Sequence, residues 1–568
     1  MNIIVQYFFF SLPLLISFVF SSGNLNNNSY VKEFALSIVV FCQLILVFLQ
    51  KKSWKKIDFD LKFVDVLLFV LMIVYSLFFI NTKNNLDFTL PYIYVSTYYF
   101  FRIYLQDNNS DYIKILTKVV PFVIGAHFFI TIFQILNILP NFHDFFPARS
   151  TFGNPDKLAS YLSILLPICY TKQKKKITNI ILIVTCVVLF IVIQARTALL
   201  STAVTLICFL FFEKALSKKI LWLGVSICLI GLFVLIWWHP DSFWGRIFLW
   251  IVALRMFISN PLGYGLYVFQ KKFPEAQIDF IAKNPNLPSC FNIDQVVYSP
   301  FNEFLNIGLS IGIIGLILYI LFIGLILKYA YRNKTHLIYP VISFIVISLS
   351  YFPMKIAPIN IIMVLISAII VTSVYSKTIF KIRIIKAVKM FGLALAICCM
   401  ICKNCHVFYQ WEKAIKEVNH TTEIIREDPF FKSYSQLNGN GLFLFSYANY
   451  YFQIGDIPNA MCLLEKAEKY HTSISLSLFM SNLHKKMNEL EKAEMCLNKA
   501  IALSNGQFNP TYELFVFLIK VGEKEEAYKL AVQLYNKPIN STYYADMNII
   551  KLRLKHFIDE YESKRNSM

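Results

Sequence analysis

The stretch ILIVTCVVLFIVIQARTALLSTAVTLICFLFF, residues 181–212, decides the fold class of this chain. Two apolar runs, 178–194 and 197–213, flank a short polar turn, and each is long enough to cross the hydrocarbon core of a bilayer as a helix. Arg196 in the turn is the only charged residue of the stretch. The stretch therefore predicts two membrane-spanning helices joined by a tight turn that carries a permanent positive charge.

The same apolar pattern recurs along most of the chain. Of 568 residues, 57% are hydrophobic and 15% charged, and the mean hydropathy is +0.56, which excludes an ordinary soluble protein. The first run, from Ile3 to Phe20, has no basic start and no small-residue cleavage site, so we expect it to remain as a span. We predict an all-α, polytopic membrane domain over residues 1–404 with about 12–13 transmembrane helices. The candidate spans are 3–21, 34–50, 64–81, 90–105, 119–138, 157–171, 178–194, 197–213, 219–238, 304–327, 337–353, 357–375 and 388–403.

The loops between these runs predict the orientation in the membrane. Basic loops such as 51–56 and 377–389 alternate with lysine-poor loops, and the positive-inside rule puts the basic set in the cytoplasm. The net charge of +20 is therefore assigned to membrane orientation, and no nucleic-acid partner is predicted. We expect a cytoplasmic N-terminus and outward loops at 139–157, 194–197 and 239–303. An odd number of spans would send the C-terminal region outward as well.

A repeat follows the last predicted span. Three segments align, each with a turn followed by an amphipathic helix: IGDIPNAMCLLEKA (454–467), MNELEKAEMCLNKA (487–500) and VGEKEEAYKLAVQL (521–534). Ala460, Ala493 and Ala527 recur at intervals of 33 and 34 residues, a spacing typical of tetratricopeptide (TPR) repeats. We predict an α-solenoid of TPR-like repeats over residues 405–568, which is either a docking surface for a protein partner or a helical spacer.

The cysteines give no sign of a cofactor. The twelve cysteines are scattered, many of them inside apolar runs, without metal-ligand spacing, and we interpret them as small hydrophobic residues. The Cys-Lys-Asn-Cys element at 402–405 lies at a membrane exit rather than in a thioredoxin-like context. No metal and no cofactor are predicted.

Two further arginines lie in the apolar stretch WGRIFLWIVALRMFISNPLGYG (244–265). Charged groups at membrane depth are costly and usually functional, and arginine forms bidentate, charge-assisted bonds with a diphosphate. Arg246 and Arg255 are nine residues apart, so they lie on opposite sides of a straight helix. One is expected to face a pocket, while the other reaches lipid headgroups or caps a helix end. The alternative for each arginine, including Arg196, is an interfacial anchor.

A tight turn and a carboxylate complete the candidate site. Pro261, Gly263 and Gly265 predict that the helix stops and that another part of the backbone approaches closely. Downstream, Asn302 precedes Glu303 at the mouth of the next span. Glu303 is either a general base for an incoming hydroxyl or an acid that stabilises the helix N-terminus.

In this order, these motifs resemble the O-antigen ligase and polymerase superfamily of membrane proteins that transfer glycans. Four segments within residues 140–330 carry the resemblance: STFGNPDKLASYLSILLP (150–167), QARTALLS (194–201), GRIFLWIVALRMFISNPLGYGLYVF (245–269) and FNEFLNIGLSIGIIGL (301–316). The TPR-like tail, preceded by LNGNG (437–441), also resembles that of some ligase-family members.

The resemblance implies a reaction and roles for these residues. The donor would be a glycan on undecaprenyl diphosphate at the outer face of the bacterial inner membrane. The acceptor would be a hydroxyl of lipid A-core or of another molecule. Arg196 and Arg246 would hold the diphosphate, with Arg255 as a spare candidate, and Glu303 and Arg246 would act in catalysis. The repeat domain would be periplasmic.

One departure from the family pattern leaves the acceptor open. Lipopolysaccharide ligases usually carry a histidine, proposed to assist acceptor deprotonation, where this chain has Phe301. Either Glu303 takes the role of the base, or a histidine comes from elsewhere, or the chemistry is that of a repeat-unit polymerase. A protein O-oligosaccharyltransferase is a further alternative. From other functional classes, a transporter of lipid-linked glycans and a non-enzymatic membrane scaffold remain open.

Overall fold

The computed structural model describes residues 3–19, 29–48, 56–79, 90–106, 112–140, 148–170, 176–213, 226, 240–266, 269–284, 299–374, 378–420, 428–504, 508–536 and 544–566. The chain forms two compact units. The first comprises Met1–Leu266 and Ser299–Leu437, and the second comprises Tyr267–Tyr298 and Asn438–Met568.

Helices account for almost all of the regular structure among the described residues. In the first part of the chain they are α1 (Ile3–Leu15), α2 (Ser29–Phe48), α3 (Phe63–Phe79), α4 (Leu90–Gln106), α5 (Tyr112–Ile135), α6 (Pro155–Leu165), α7 (Lys176–Val192), α8 (Arg196–Phe212) and α9 (Pro240–Ser259). They continue with α10 (Phe269–Lys283), α11 (Glu303–Arg332), α12 (Ile338–Ser348), α13 (Ala357–Ser373), α14 (Lys386–His420) and α15 (Phe431–Leu437). The last seven are α16 (Gly441–Gln453), α17 (Ile457–Glu468), α18 (Ile474–Lys486), α19 (Leu490–Ser504), α20 (Phe508–Val521), α21 (Lys524–Tyr535) and α22 (Tyr544–Asn566).

Most helices of the first unit overlap predicted spans. Three depart from the prediction: α9 lies in the segment 239–303, which is predicted as a loop, α14 continues to His420 beyond the predicted end at 403, and α15 follows the last predicted span. The predicted span 219–238 lies outside the described residues. By length and composition, α5 and α11 are able to cross a membrane, and shorter apolar helices lie within α1, α2, α3, α7, α8, α12 and α13. Large apolar side chains such as Phe122 and Leu77 are exposed on the outside of these helices, as in a protein solvated by lipid. The predicted all-α membrane class is confirmed, whereas the number of spans stays a prediction.

A two-stranded ribbon adds to the predicted helices. β1 (Lys56–Leu61) pairs antiparallel with β2 (Phe380–Ile385), and Asp58 lies opposite Arg383. β2 lies within the predicted basic loop 377–389, whereas β1 begins at the last residue of the predicted loop 51–56. Apolar and polar residues alternate in β1 and in most of β2, which is a strand pattern. The pairing of β1 with β2 agrees with the even number of predicted spans between them.

A buried ion pair joins helices next to this ribbon. Arg102 of α4 and Asp65 of α3 form a salt bridge of 3.0 Å, and their side chains are 1% and 0% exposed. Tyr98 donates a hydrogen bond of 2.6 Å to Asp65 Oδ1, and Lys62 Nζ donates one of 2.5 Å to the carbonyl oxygen of Val371 in α13. Because buried charges are tolerated only when they are paired and hydrogen-bonded, this cluster locks α3, α4 and α13 together.

The second unit contains the predicted solenoid. α16 packs against α17, α18 against α19 and α20 against α21, with α22 packed on α21. Ala460, Ala493 and Ala527 are fully buried, since small residues let the paired helices approach. The turn inside each pair contains a residue with positive φ: Gly455 at 84°, Asn488 at 60° and Gly522 at 97°. The predicted TPR-like repeats are confirmed. The predicted boundary between residues 404 and 405 falls inside α14, which the structure assigns to the first unit.

Candidate functional site

Arg196 and Arg246 come together in the first unit although they are far apart in sequence. Arg196 begins α8 directly after a tight turn in which Gln194 has a φ of 57°. Arg246 lies in the first half of α9, and its Nη1 donates a hydrogen bond of 3.3 Å to Thr197 Oγ1. The charge of Arg246 also acts on Arg196. The structure thus places two residues that are predicted diphosphate ligands next to each other.

Phe301, at the position of the family histidine, supports Arg246 from the side of α11. The guanidinium carbon of Arg246 lies 5.6 Å from the centroid of the Phe301 ring, within the range of a cation–π attraction. The Phe301 ring in turn packs on Tyr351 and Phe352, at 6.3 and 5.3 Å between centroids. An aromatic cluster therefore occupies the place where a lipopolysaccharide ligase would carry its histidine.

Asp156 is a carboxylate that the two arginines act upon, and motif reasoning misses it. It lies in the first turn of α6, where Asn154 caps the helix by accepting a hydrogen bond of 2.7 Å from the Asp156 backbone N–H. Burial raises the pKa of Asp156, and the positive charges of Arg246 and Arg196 oppose that shift. The Asn-Pro-Asp sequence marks a helix start, but only the fold shows which charges act on Asp156.

Glu303 is almost fully buried, at 2% exposure, at the start of α11. Its Oε1 accepts a hydrogen bond of 3.2 Å from Asn306 Nδ2, and its Oε2 accepts one of 3.3 Å from the backbone N–H of Met354. Asn302 caps the same helix by accepting a hydrogen bond of 3.1 Å from the Leu305 N–H. This arrangement suits a helix-stabilising acid. A general base at this position would accept a further hydrogen bond from the acceptor hydroxyl, for which each carboxylate oxygen keeps a second lone pair.

Basic side chains act on each of the two carboxylates. Besides the two arginines, Lys355 acts electrostatically on Glu303 and on Lys157, the neighbour of Asp156 in α6. We define the cationic cluster as Arg196, Arg246, Lys157 and Lys355. Like charges in close proximity repel one another, and two carboxylates do not balance four cations. The cluster is therefore suited to a ligand that carries more than one negative charge.

Arg255 lies on a different part of α9. Its side chain is exposed, whereas Arg246 is half-buried. The charges that act on Asp156 include those of Arg246 and Arg196. Nine helical residues correspond to half a revolution, so the two arginines of this helix point in opposite directions.

The turn after α9 pairs with a break in α11. The break lies at Ile311 and Gly312, which leave helical geometry. Three backbone hydrogen bonds join the two segments: Ile313 N–H to Pro261 O (2.8 Å), Tyr264 N–H to Leu309 O (2.7 Å) and Gly265 N–H to Ser310 O (3.1 Å). A break inside an apolar helix frees backbone groups that need hydrogen-bond partners, and the turn supplies them. We call this contact the turn–helix interlock.

Two glycines allow the interlock to close. Gly263 has a φ of 89°, and a Cβ on it would lie 2.6 Å from the backbone nitrogen of Gly312. Gly312 has a φ of 70°, and a Cβ on it would overlap the carbonyl oxygen of Leu262. Only glycine permits both the backbone conformation and the approach. Because α9 carries Arg246 and α11 begins with Glu303, the interlock sets the spacing between the helices that carry these residues.

An apolar groove of about 450 Å³ lies beside α9 and the start of α11. Its lining is apolar except for Asn302 and consists of Ile247, Trp250, Ile251, Leu254, Asn302, Phe304, Leu305 and Leu349. Ile247 directly follows Arg246, and Asn302 directly precedes Glu303. The groove therefore adjoins the charged site and has the chemistry to hold a hydrocarbon chain.

Comparison with known proteins relates part of the chain to one family. Residues 181–320 match the family model described as O-antigen ligase. That range includes Arg196, Arg246, the interlock and Glu303. No curated protein matches the chain significantly. One matching solved structure is the crystal structure of the APC/C hetero-tetramer Cut9-Hcn1, with 9% identity over 93% of this chain and 89% of that chain. Its TM-score of 0.23 is too low to carry an argument.

Proposed function

We propose, from the premise that this chain carries an O-antigen ligase domain over residues 181–320, that it is a membrane glycosyltransferase of the ligase or polymerase type. The donor is a glycan on undecaprenyl diphosphate, and the acceptor is a hydroxyl group at the outer face of the inner membrane. In this proposal the membrane part, residues 1–404, carries the reaction, and the TPR-like part, residues 405–568, is periplasmic.

The cationic cluster is the observation that carries the proposal. A diphosphate diester brings two negative charges to a site where basic side chains outnumber the two carboxylates. Arg246, hydrogen-bonded to Thr197 and packed on Phe301, offers a planar guanidinium that binds phosphate oxygens in pairs. Arg196 adds a second guanidinium beside it. Positive charge held in place here stabilises the negative charge that develops on the leaving diphosphate.

The reaction that these groups support is a substitution at the anomeric carbon of the donor sugar. The acceptor oxygen forms a bond to that carbon, and the bond between the carbon and the diphosphate oxygen breaks. Undecaprenyl diphosphate leaves with the bonding electron pair, and the proton of the acceptor hydroxyl passes to a carboxylate. The lipid diphosphate is itself the leaving group, so no nucleotide sugar is consumed.

Two carboxylates are candidates for the proton acceptor. Glu303 is the candidate from the sequence, and its buried position at the start of α11 puts it in the same cluster as Lys355. Asp156 is the candidate that the fold adds, and the arginines that act on it are those proposed to hold the diphosphate. Glu303→Gln and Asp156→Asn separate them, because only the loss of the true base removes the acidic limb of the pH–rate profile.

The apolar groove supports a lipid-linked donor. A polyprenyl chain in the groove would have its diphosphate end near Arg246, because Ile247 and Trp250 line the groove on the helix that carries Arg246. Binding energy from the chain, which does not react, would then position the diphosphate at the cluster. A nucleotide-sugar donor would have no use for this groove.

The Phe301 position favours a second candidate within the same class. Without the family histidine, a repeat-unit polymerase that relies on arginines accounts for the site as well as a lipid A-core ligase does. Transfer to a protein hydroxyl differs from both only in the acceptor. Surface glycans distinguish these three outcomes directly.

The test compares surface glycans in a strain that lacks the gene with those in strains complemented by wild type, Arg246→Ala or Arg255→Ala. Loss of long polysaccharide with accumulation of the lipid-linked precursor indicates a ligase, and a single attached repeat indicates a polymerase. Normal lipopolysaccharide with unglycosylated protein indicates a protein acceptor. In each case we expect Arg246→Ala to lower transfer by about 100-fold or more, and Arg255→Ala to lower it less. An Arg246→Ala protein that is stably inserted and fully active would rule out the proposed role of the cluster.

A further inference from the structure

The helix α10 belongs to the second unit, although the chain before and after it belongs to the first. The first unit includes the chain up to Leu266 and again from Ser299, whereas Tyr267–Tyr298 belong to the second unit together with the solenoid. α10 packs against α19, the second helix of the middle repeat. A segment of the long loop 239–303 has thus become part of the repeat domain.

One face of α10 is buried in this unit. Phe269, Phe273 and Phe280 are 8%, 1% and 8% exposed, and Gln277 is 7% exposed. The rings of Phe269 and Phe273 stack at 4.6 Å between centroids. The four residues recur at helical intervals and form a continuous stripe. A stripe of this kind attaches a helix to a core rather than leaving it as a mobile surface segment.

The opposite face of α10 is polar and exposed. Lys272, Asp279 and Lys283 have side-chain exposures of 48%, 63% and 65%, and Lys283 pairs with Asp279 at 2.8 Å along the helix. The helix therefore has one buried face and one exposed face, and it packs against α19.

A second contact involves the turn between α17 and α18. The charge of Lys271 acts on His471, which is 3% exposed. A Cβ on Gly441, the last residue of the LNGNG element, would overlap His471. The region that α10 approaches thus includes residues of the repeat turns as well as α19.

We propose that the solenoid is a clamp for the chain's own loop, with α10 as the permanent occupant of the surface at α19 and His471. The protein partner predicted for the repeats is then, in the first place, a segment of the same chain. A direct consequence is that the solenoid lies on the same side of the membrane as the loop. The inference rests on contacts within the second unit and is independent of the proposed transfer reaction.

The predicted membrane orientation gives the same sidedness. It puts the basic loops at 51–56 and 377–389 on the side opposite to the loop 239–303. α14 begins directly after β2 and has 35 residues, so it is about 52 Å long and exceeds the hydrocarbon thickness. It contains the predicted span 388–403 and can therefore carry the chain from the ribbon side to the loop side.

Photo-crosslinking in the full-length protein tests the clamp. With benzoylphenylalanine in place of Phe273, we expect intramolecular crosslinks to residues 490–504, mapped by mass spectrometry of the digested protein. The same probe in place of the exposed Asp279 is the control and should not reach that segment. Crosslinks from position 273 to a different protein, or none to the solenoid, would overturn the proposal.

Release of the loop provides a second measurement. Phe273→Glu places a charge in the buried stripe, and Ala282→Glu places the same charge at an exposed position of α10. We expect protease cleavage between residues 267 and 298 of the full-length protein to accelerate by about tenfold or more for Phe273→Glu only. Equal cleavage rates for the two variants would contradict the clamp.

Labelling of cysteines from outside tests the sidedness without any glycan assay. Met495 of α19 is 71% exposed, and Asp279 of α10 is exposed as well. We expect Met495→Cys and Asp279→Cys to react with a membrane-impermeant maleimide in spheroplasts, as read by peptide mass spectrometry. If Met495→Cys reacts only after permeabilisation while Asp279→Cys reacts before it, the clamp is wrong, whatever the fate of the proposed reaction.

Discussion

Glycines with positive φ occur in both units of the chain, but their surroundings differ. At Gly263 and Gly312 in the membrane unit, any Cβ would collide with the backbone of the facing segment. At Gly455 and Gly522 in the solenoid, nothing lies within 4 Å of a Cβ. The equivalent turn of the middle repeat contains Asn488 instead of glycine, with a φ of 60°. The solenoid turns therefore require only a backbone conformation, whereas the interlock requires both a conformation and an empty space.

The difference reflects the solvent of each unit. A turn of the solenoid exposes its free backbone groups to water, which satisfies them. The break in α11 lies in an apolar helix long enough to span a membrane, and another stretch of backbone approaches closely and supplies hydrogen bonds to it. Irregular backbone in a membrane protein commonly marks a substrate site, and here the interlock lies on the two helices that carry Arg246 and Glu303.

Gly312→Ala is expected to have the largest effect on this contrast. Gly312 combines a φ of 70° with a ψ of −174°, a region that only glycine occupies readily, and its Cβ would meet a carbonyl oxygen that cannot rotate away. Strain and overpacking together should cost about 5 kcal/mol and abolish glycan transfer. Gly324→Ala on the same helix is the matched control, because nothing lies within 4 Å of its Cβ. Thermal unfolding in detergent and the glycan profile measure both variants, and equal stability would remove the case for the interlock.

Ion pairs also differ between the two units, because the pair in the membrane unit is buried and the pair in the solenoid is exposed. Asp65→Asn leaves Arg102 buried without its counter-charge, and we expect a loss of about 3–4 kcal/mol in the free energy of unfolding. In the solenoid, Lys529 pairs with Glu525 at 3.5 Å, with side chains 68% and 76% exposed. Lys529→Ala should therefore change the free energy by less than about 0.5 kcal/mol. Chemical denaturation of both variants checks this, and similar losses would show that the buried pair is not the lock described for α3 and α4.

The buried His471 in the solenoid should make the stability of the folded chain depend on pH. Burial, and secondarily the charge of Lys271, lowers the pKa of His471 from 6.5 to about 4. Between these two values the unfolded chain binds a proton that the folded chain does not, so stability falls as the pH falls. From pH 7.5 to pH 4.5 the loss should be about 2–3 kcal/mol. Melting temperatures at several pH values should show it in wild type and a shallower slope in His471→Leu. An unchanged slope would assign the acid sensitivity to other groups.

The turns of the solenoid should give the smallest effects. Gly455→Ala puts a side chain on a left-handed backbone without causing a collision, so we expect it to lower the free energy of unfolding by about 1 kcal/mol. Gly455→Asn should cost less, since asparagine tolerates this conformation and already occupies the same turn of the middle repeat at Asn488. Denaturant titration of the two variants measures the difference. If Gly455→Ala lowered the free energy of unfolding as much as Gly312→Ala does, the proposed difference between the two units would be wrong.

The candidate site shows how far one-dimensional patterns reach. Arg196, Arg246 and the Pro-Leu-Gly-Tyr-Gly turn are visible because a charge or a glycine stands out in an apolar run. Asp156 and Lys355 are not, because each looks like an ordinary helix-end residue until the fold brings it to the cluster. The sequence signal for Asp156 is only that of an acidic residue in the first turn of a helix, α6. The arginines that act on it, Arg196 and Arg246, lie on two other helices.

The sequence by itself determines the helical membrane class, most of the apolar helices, and where the repeats recur. These follow from local physics: apolar length for spans, a regular period for the repeats, and turn residues between helices. Only the tertiary structure decides that Phe301 supports Arg246, that the turn after α9 fits the break in α11, and that α10 belongs to the solenoid. These contacts join segments that no local rule connects. Each depends on how two distant surfaces satisfy backbone hydrogen bonds, charge or apolar area at the same time.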